Sequence, residues 1–135
     1  MRVAGVSVAG MRVAGLGFRT SASLADLRAA LALTGARPDA LASTSTKALA
    51  PVLKQLAHEM GLPLLVLEES EIAGEQTLTC SPRIKARFGT GSLAEACALV
   101  AARTGPPGAR SRLITPRVVT ADGQATAAIA ERLEP

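Results

Sequence analysis

The chain has 135 residues, 48% of them apolar and 19% charged, with 15 Lys and Arg against 11 Asp and Glu for a net charge of +4. That length predicts one domain, with a core large enough to stand without disulfide or metal staples. Two Phe and no Tyr or Trp imply an aliphatic core and few platforms for stacked nucleobases, so the basic excess is not by itself a nucleic-acid signature. No apolar run reaches the roughly 18–20 residues of a membrane span, and Gly and Ser interrupt the N-terminal stretch where a signal peptide would be continuous.

Met1–Gly5 and Met11–Gly15 both read MRVAG. Two copies at so short a period do not make a solenoid. Residues 1–10 are therefore expected to be a leader, with Met11 as an alternative start and residues 11–135 as the domain. Arg12–Phe18 reads as a strand. Leu24, Leu27 and Leu31 then recur at helical spacing up to Gly35, with Ser23 and Asp26 placed as a capping box. Ala40–Ser43 reads as a short strand. Leu49, Val52, Leu53, Leu56 and Met60 form one helical stripe ending at Gly61, with Pro51 in its first turn.

Leu62–Leu67 is almost uninterruptedly apolar, the pattern of a strand covered on both faces. Glu68, Glu69, Glu71 and Glu75 suggest a solvated acidic face, with a short helix from Ser70. Ser81–Phe88 is basic and gives no clear period. Leu93–Ala102 predicts a helix opened by a second capping box, Ser92 with Glu95. Thr104–Ala109 predicts a loop. Arg112–Thr120, broken by Pro116, and Ala125–Ala130 predict a hairpin about Asp122-Gly123. Strands alternating with helices before a terminal hairpin predict an α/β fold: a single three-layer domain, its mixed sheet carrying helices on both faces.

Three junctions between strand or loop and helix carry polar chemistry. The first, Gly15-Leu16-Gly17-Phe18-Arg19-Thr20, narrowly misses a dinucleotide fingerprint because Thr20 replaces the third glycine. It leaves a place for an acidic group on free N–H groups and Arg19. The second runs from Ser43 and Thr44 to Lys47, where the hydroxyls serve equally well as helix caps. The third is Gly89-Thr90-Gly91-Ser92, preceded by Arg83, Lys85 and Arg87; its plain reading is a basic loop and a capped helix. In open α/β sheets such junctions gather at the carboxyl ends of the strands, where ligands bind.

Other reactive types are sparse. His58, the one histidine, falls off its helix's apolar stripe and has no partner for a triad. Cys80 and Cys97 lack metal-ligand spacing. Without a secretory signal they read as free thiols of a cytoplasmic protein, with Cys97 in the core. No catalytic residue, metal site or cofactor is assigned.

The order of the glycine turn with Arg19, Leu41-Ala42-Ser43 leading to Lys47, Gly61-Leu62-Pro63-Leu64, Gly89–Leu99 (GTGSLAEACAL), Thr115-Pro116-Arg117 and Ala127–Ala130 resembles the CobE family of cobalamin (vitamin B12) biosynthesis, which is also the C-terminal domain of CbiG. The resemblance covers about Met11 to Ala130. Phe18 and Thr20 stand where the family usually has a Cys and a second basic residue, which removes any cysteine chemistry from that turn. Arg117 stands where Lys is frequent.

The resemblance implies tetrapyrrole binding in corrin-ring assembly. The ligand would be a corrin or precorrin intermediate bearing acetate and propionate arms, with other corrin-pathway enzymes as further partners and no nucleic acid or membrane. CbiG's lactone opening implies an alternative, a hydrolase acting on a precorrin lactone. The basic charge and glycine turns leave a third, a nucleotide- or nucleic-acid-binding domain. The expected ligand residues are Gly15, Gly17, Arg19, Thr20, Ser43, Thr44, Lys47, Gly89, Thr90, Gly91, Ser92, Thr115 and Arg117. They would grip the carboxylates at the rim of the ring through charge-assisted bonds.

Overall fold

The computed structural model describes residues 10–104 and 109–133. Of the leader expected over residues 1–10 only Gly10 is described, and residues 105–108 of the expected Thr104–Ala109 loop also lie outside the described residues.

The chain opens with strand β1 (Arg12–Phe18), helix α1 (Leu24–Leu33) and strand β2 (Ala40–Thr44). The α1 start is the expected reciprocal box: Ser23 Oγ accepts from Asp26 N–H, and Asp26 accepts from Ser23 N–H. The single helix expected after β2 is two helices, α2 (Ser45–Ala48) and α3 (Pro51–Met60). Pro51 is the cause, because a residue preceding proline is pushed out of the helical region, and Ala50 is extended at ψ 129°. Leu49 thereby leaves the predicted stripe and is 71% exposed. Gly61 closes α3 in the left-handed conformation at φ 67°, which glycine adopts without steric cost.

Strand β3 (Leu64–Leu67) follows, then the short helices α4 (Glu69–Ile72) and α5 (Pro82–Phe88). The chain ends with helix α6 (Leu93–Arg103) and the hairpin of β4 (Arg110–Val119) and β5 (Ala125–Leu133). The sheet order is β3-β2-β1-β5-β4, parallel from β3 to β1 and antiparallel from β1 to β4. The expectation that β3 is covered on both faces is incorrect. It is an edge strand with Val66 half exposed, because a terminal strand has fewer neighbours to cover it. The other edge strand, β4, shifts register on both sides of Thr115, and a proline is tolerated at such an edge.

Period-2 alternation divides the core into two layers. Ala14, Leu16 and Phe18 join Leu27, Leu31, Leu53 and Leu56 on the α1/α3 face. Val13, Ala42 and Ala130 join α6 on the other, where Ile72, Ile84 and Phe88 complete the cover. Ten of the eleven α6 residues are buried, as a helix enclosed between a sheet and an outer layer requires. Gly15 is where α6 lies closest to the sheet: a Cβ there would stand 2.0 Å from the Ala94 carbonyl oxygen and 2.7 Å from Ala98 N. At the other end of α6, the buried Arg132 side chain donates to the carbonyls of Ala102 and Thr104, placing a cation at the negative end of the helix dipole.

Candidate functional site

Reversing strand direction between β1 and β5 brings the Asp122-Gly123 turn to the carboxyl end of β1. The two segments are tied there: Arg19 N–H donates to Gln124 O at 2.9 Å, Arg19 Nε to Gly123 O at 3.3 Å, and Ser21 Oγ to Gln124 Oε1 at 3.1 Å. Between this corner, α2, α5 and the start of α6 lies a cleft of about 730 Å³. Its floor includes Gly17, Leu93 and Thr126.

Five basic side chains line the cleft, Arg19, Lys47, Arg83, Arg87 and Arg117, and among the described residues no carboxylate does. Both phenylalanines of the chain, Phe18 and Phe88, line it too. Lys47 Nζ donates to Phe18 O at 2.5 Å and stands 5.1 Å from the centre of the Phe18 ring. Partial burial without a carboxylate partner shifts its pKa below the ordinary lysine value. Arg87 stacks over the Phe88 ring at 4.5 Å and is held by both oxygens of Glu69, at 3.0 and 3.3 Å. The result is an electropositive cleft with two apolar patches.

Of the expected ligand residues, Gly17, Arg19, Thr20, Lys47 and Arg117 meet in this cleft. The others occupy different places. Gly15 lies beneath α6. Ser43 Oγ donates to Leu16 O at 2.8 Å, and Thr44 is fully buried at the end of β2. Thr115 lies on β4, outside the cleft lining. The residues missed from the ligand set include the two arginines of α5, with Ile84 and Phe88 of the same helix. Ser81 as its cap, Pro82 at its first position and Gly89 after its last residue bracket the helix in the sequence, and that bracket is a readable start and stop signal.

Gly89–Ser92 is a seam behind the cleft. Gly89 ends α5 at φ 76°. Thr90 Oγ1 donates to Glu75 O at 2.7 Å, and Ser81 N–H donates to Gly91 O at 2.8 Å. A Cβ on Gly91 would approach Thr79 O to 2.7 Å and Cys80 Cα to 3.0 Å, so only glycine lets the 77–80 segment lie so close. Ser92 caps α6 by accepting from Glu95 N–H at 3.2 Å, but the expected reciprocal half of this box is not made. Glu95 turns inward instead. It is fully buried and accepts from Leu78 N–H at 2.7 Å, Thr79 N–H at 3.1 Å, the Thr79 hydroxyl at 3.1 Å and Arg117 N–H at 2.8 Å.

The remaining reactive types are spread apart. His58 is exposed on α3, and both cysteines are free, Cys80 exposed and Cys97 buried. Among the described residues, no three His, Cys, Asp or Glu side chains are grouped to hold a metal ion, and no helix is long and apolar enough to cross a membrane.

None of the curated proteins matches the chain. Solved structures do. One is the crystal structure of CobE, a protein from the cobalamin (vitamin B12) biosynthetic pathway, 28% identical over 98% of both chains with a TM-score of 0.77. Another is the cobalamin biosynthesis protein chiG from Agrobacterium tumefaciens str. C58, 31% identical over 90% of this chain and 98% of that one, with a TM-score of 0.61. The family model described as cobalamin synthesis G C-terminus matches residues 12–130, a span that runs from the first residue of β1 into β5 and so takes in the whole cleft. The chain belongs to this cobalamin synthesis G C-terminal family and is a protein of the cobalamin biosynthesis pathway.

Proposed function

We propose that the chain binds a polycarboxylate corrin or precorrin intermediate in the basic cleft. The observation that carries this reading is the lining itself: among the described residues, five cations, no carboxylate and both aromatic rings of the chain around one space. A ring with several carboxylate arms matches separated cations, each charge-assisted bond contributing about 1.5–3 kcal/mol. Its flat apolar face suits the exposed parts of Ile84 and Phe88. Arg83 and Arg117 make no ion pair among the described residues, so their charge is available without first displacing an internal carboxylate.

Titration of the coloured hydrogenobyrinate, followed by absorbance, tests the proposal. Saturable binding is expected, weaker by roughly tenfold in Lys47→Gln and in Arg117→Gln and weakened further by salt. A corrin whose arms are all neutral amides should bind poorly. Absence of binding at high micromolar hydrogenobyrinate, or equal affinity for the neutral corrin, would overturn the reading. Mass spectrometry of the same mixtures separates retention from turnover: an altered ligand mass would turn the assignment toward hydrolysis.

A further inference from the structure

The buried Glu95 carboxylate ties the two walls of the cleft together behind its lining. Its Oε1 accepts the N–H groups of Leu78 and Thr79, three and two residues before Ser81, the cap of α5. Its Oε2 accepts the Thr79 hydroxyl and the N–H of Arg117. One wall therefore carries Arg83 and Arg87, the other carries Arg117, and both are fastened to the same side chain at the start of α6. Among the described residues the carboxylate makes no ion pair; its compensation is four hydrogen bonds and the positive end of α6. A carboxylate accepts at both oxygens and donates at neither, so the side chain is matched to a place where every neighbour is a donor. An apolar residue there would bury without desolvating a charge but would leave the Leu78, Thr79 and Arg117 N–H groups without their acceptor, so the carboxylate holds both segments by satisfying their donors.

We infer that Glu95 is a positioning residue for ligand binding, setting the spacing between Arg117 and the α5 arginines. This inference rests on the cleft being the binding site. Glu95→Gln is the informative change because it keeps size and shape while replacing one acceptor oxygen with an N–H donor. With the amide oxygen in the Oε1 place, Arg117 N–H faces another donor; with the amide reversed, Leu78 and Thr79 do. Either way one wall is released.

Two measurements on the full chain test the inference. In hydrogen exchange, Glu95→Gln should speed exchange at Arg117 or at Leu78 and Thr79 by at least about tenfold, while α1 and α3 keep their protection. In hydrogenobyrinate titrations of folded protein, Glu95→Gln should bind about tenfold more weakly. Adding Arg117→Gln to it should then cost clearly less than Arg117→Gln costs in the unaltered chain, the non-additivity expected of residues acting as one unit.

Thr79→Val, which removes only the hydroxyl donor, should give a smaller loss and supplies the comparison if Glu95→Gln folds poorly. Full additivity with Arg117→Gln, or unaltered affinity of folded Glu95→Gln, would overturn the inference. Failure of the unaltered chain to bind hydrogenobyrinate would instead overturn the cleft reading. The exchange arm would still decide whether Glu95 holds both walls.

Discussion

Replacing Gly15 with alanine tests the closest approach between the sheet and α6. The added methyl would meet the Ala94 carbonyl oxygen at 2.0 Å and Ala98 N at 2.7 Å. Both are backbone atoms of α6, so no rotamer change relieves the clash, and the helix must retreat by about 1 Å or more to reach ordinary contact distance. Because α6 packs on all five strands of the sheet, that retreat loosens one whole core layer rather than one residue. Overpacking of this kind costs about 3 kcal/mol.

For a domain of this size that cost lowers Tm by roughly 10 °C and the urea midpoint by about 2 M. Gly17→Ala, two residues along the same face, is the control. Its methyl would meet the Thr126 hydroxyl at 2.9 Å, a side chain that can turn away, and about 1 kcal/mol is expected. Urea unfolding of both variants decides the matter. A Gly15→Ala midpoint within error of the unaltered chain, or a larger effect of Gly17→Ala, would refute the reasoning.

Burial holds the Cys97 thiol protonated up to about 12, against 9.0 for an ordinary thiol. Between those values the unfolded chain releases a proton that the folded chain keeps, so folding stability should fall by about 1 kcal/mol per pH unit as pH rises above 9. Lys47 contributes with the opposite sign, since its lowered pKa makes the unfolded chain the better proton binder just below 10.5. Cys97→Ala should flatten the decline, and urea midpoints measured between pH 8 and 10.5 check it. Arg132→Met should cost about 2–3 kcal/mol, because it strips the Ala102 and Thr104 carbonyls of a buried charged donor; a loss below about 0.5 kcal/mol would show that water replaces the guanidinium freely.

Local signals carried most of the fold. The α1 capping box, the Gly61 stop, the Asp122-Gly123 turn and the α/β alternation are short-range features, and each lies where its spacing places it. What the sequence left open depends on distant neighbours. Leu62–Leu67 is apolar enough for a central strand, yet its place at the sheet edge is settled by strand order. The α5 segment has no buried residue and so no apolar period, although its cap, proline and glycine mark both ends.

The candidate site divides in the same way. Arg19 and Lys47 were legible as charges beside strand ends, where a sheet presents its binding edge, whereas Arg117 lies inside β4 and was legible through the Thr115-Pro116-Arg117 motif. Arg83 and Arg87 reach the same space only through the packing of α5 against α6. Gly89–Ser92 has the composition of a ligand-binding junction and the position of a seam. Glu95 has the spacing of a capping box, and its inward turn depends on donors 16, 17 and 22 residues away.

The lone pair of phenylalanines has an optical consequence. With no Tyr or Trp in the chain, every near-ultraviolet aromatic transition of this protein comes from rings that line the cleft. Its near-ultraviolet circular dichroism therefore reports on that one place, without labels. The same transparency leaves the absorption bands of a coloured guest almost free of protein background, so occupancy and the response of the rings can be followed in one cuvette.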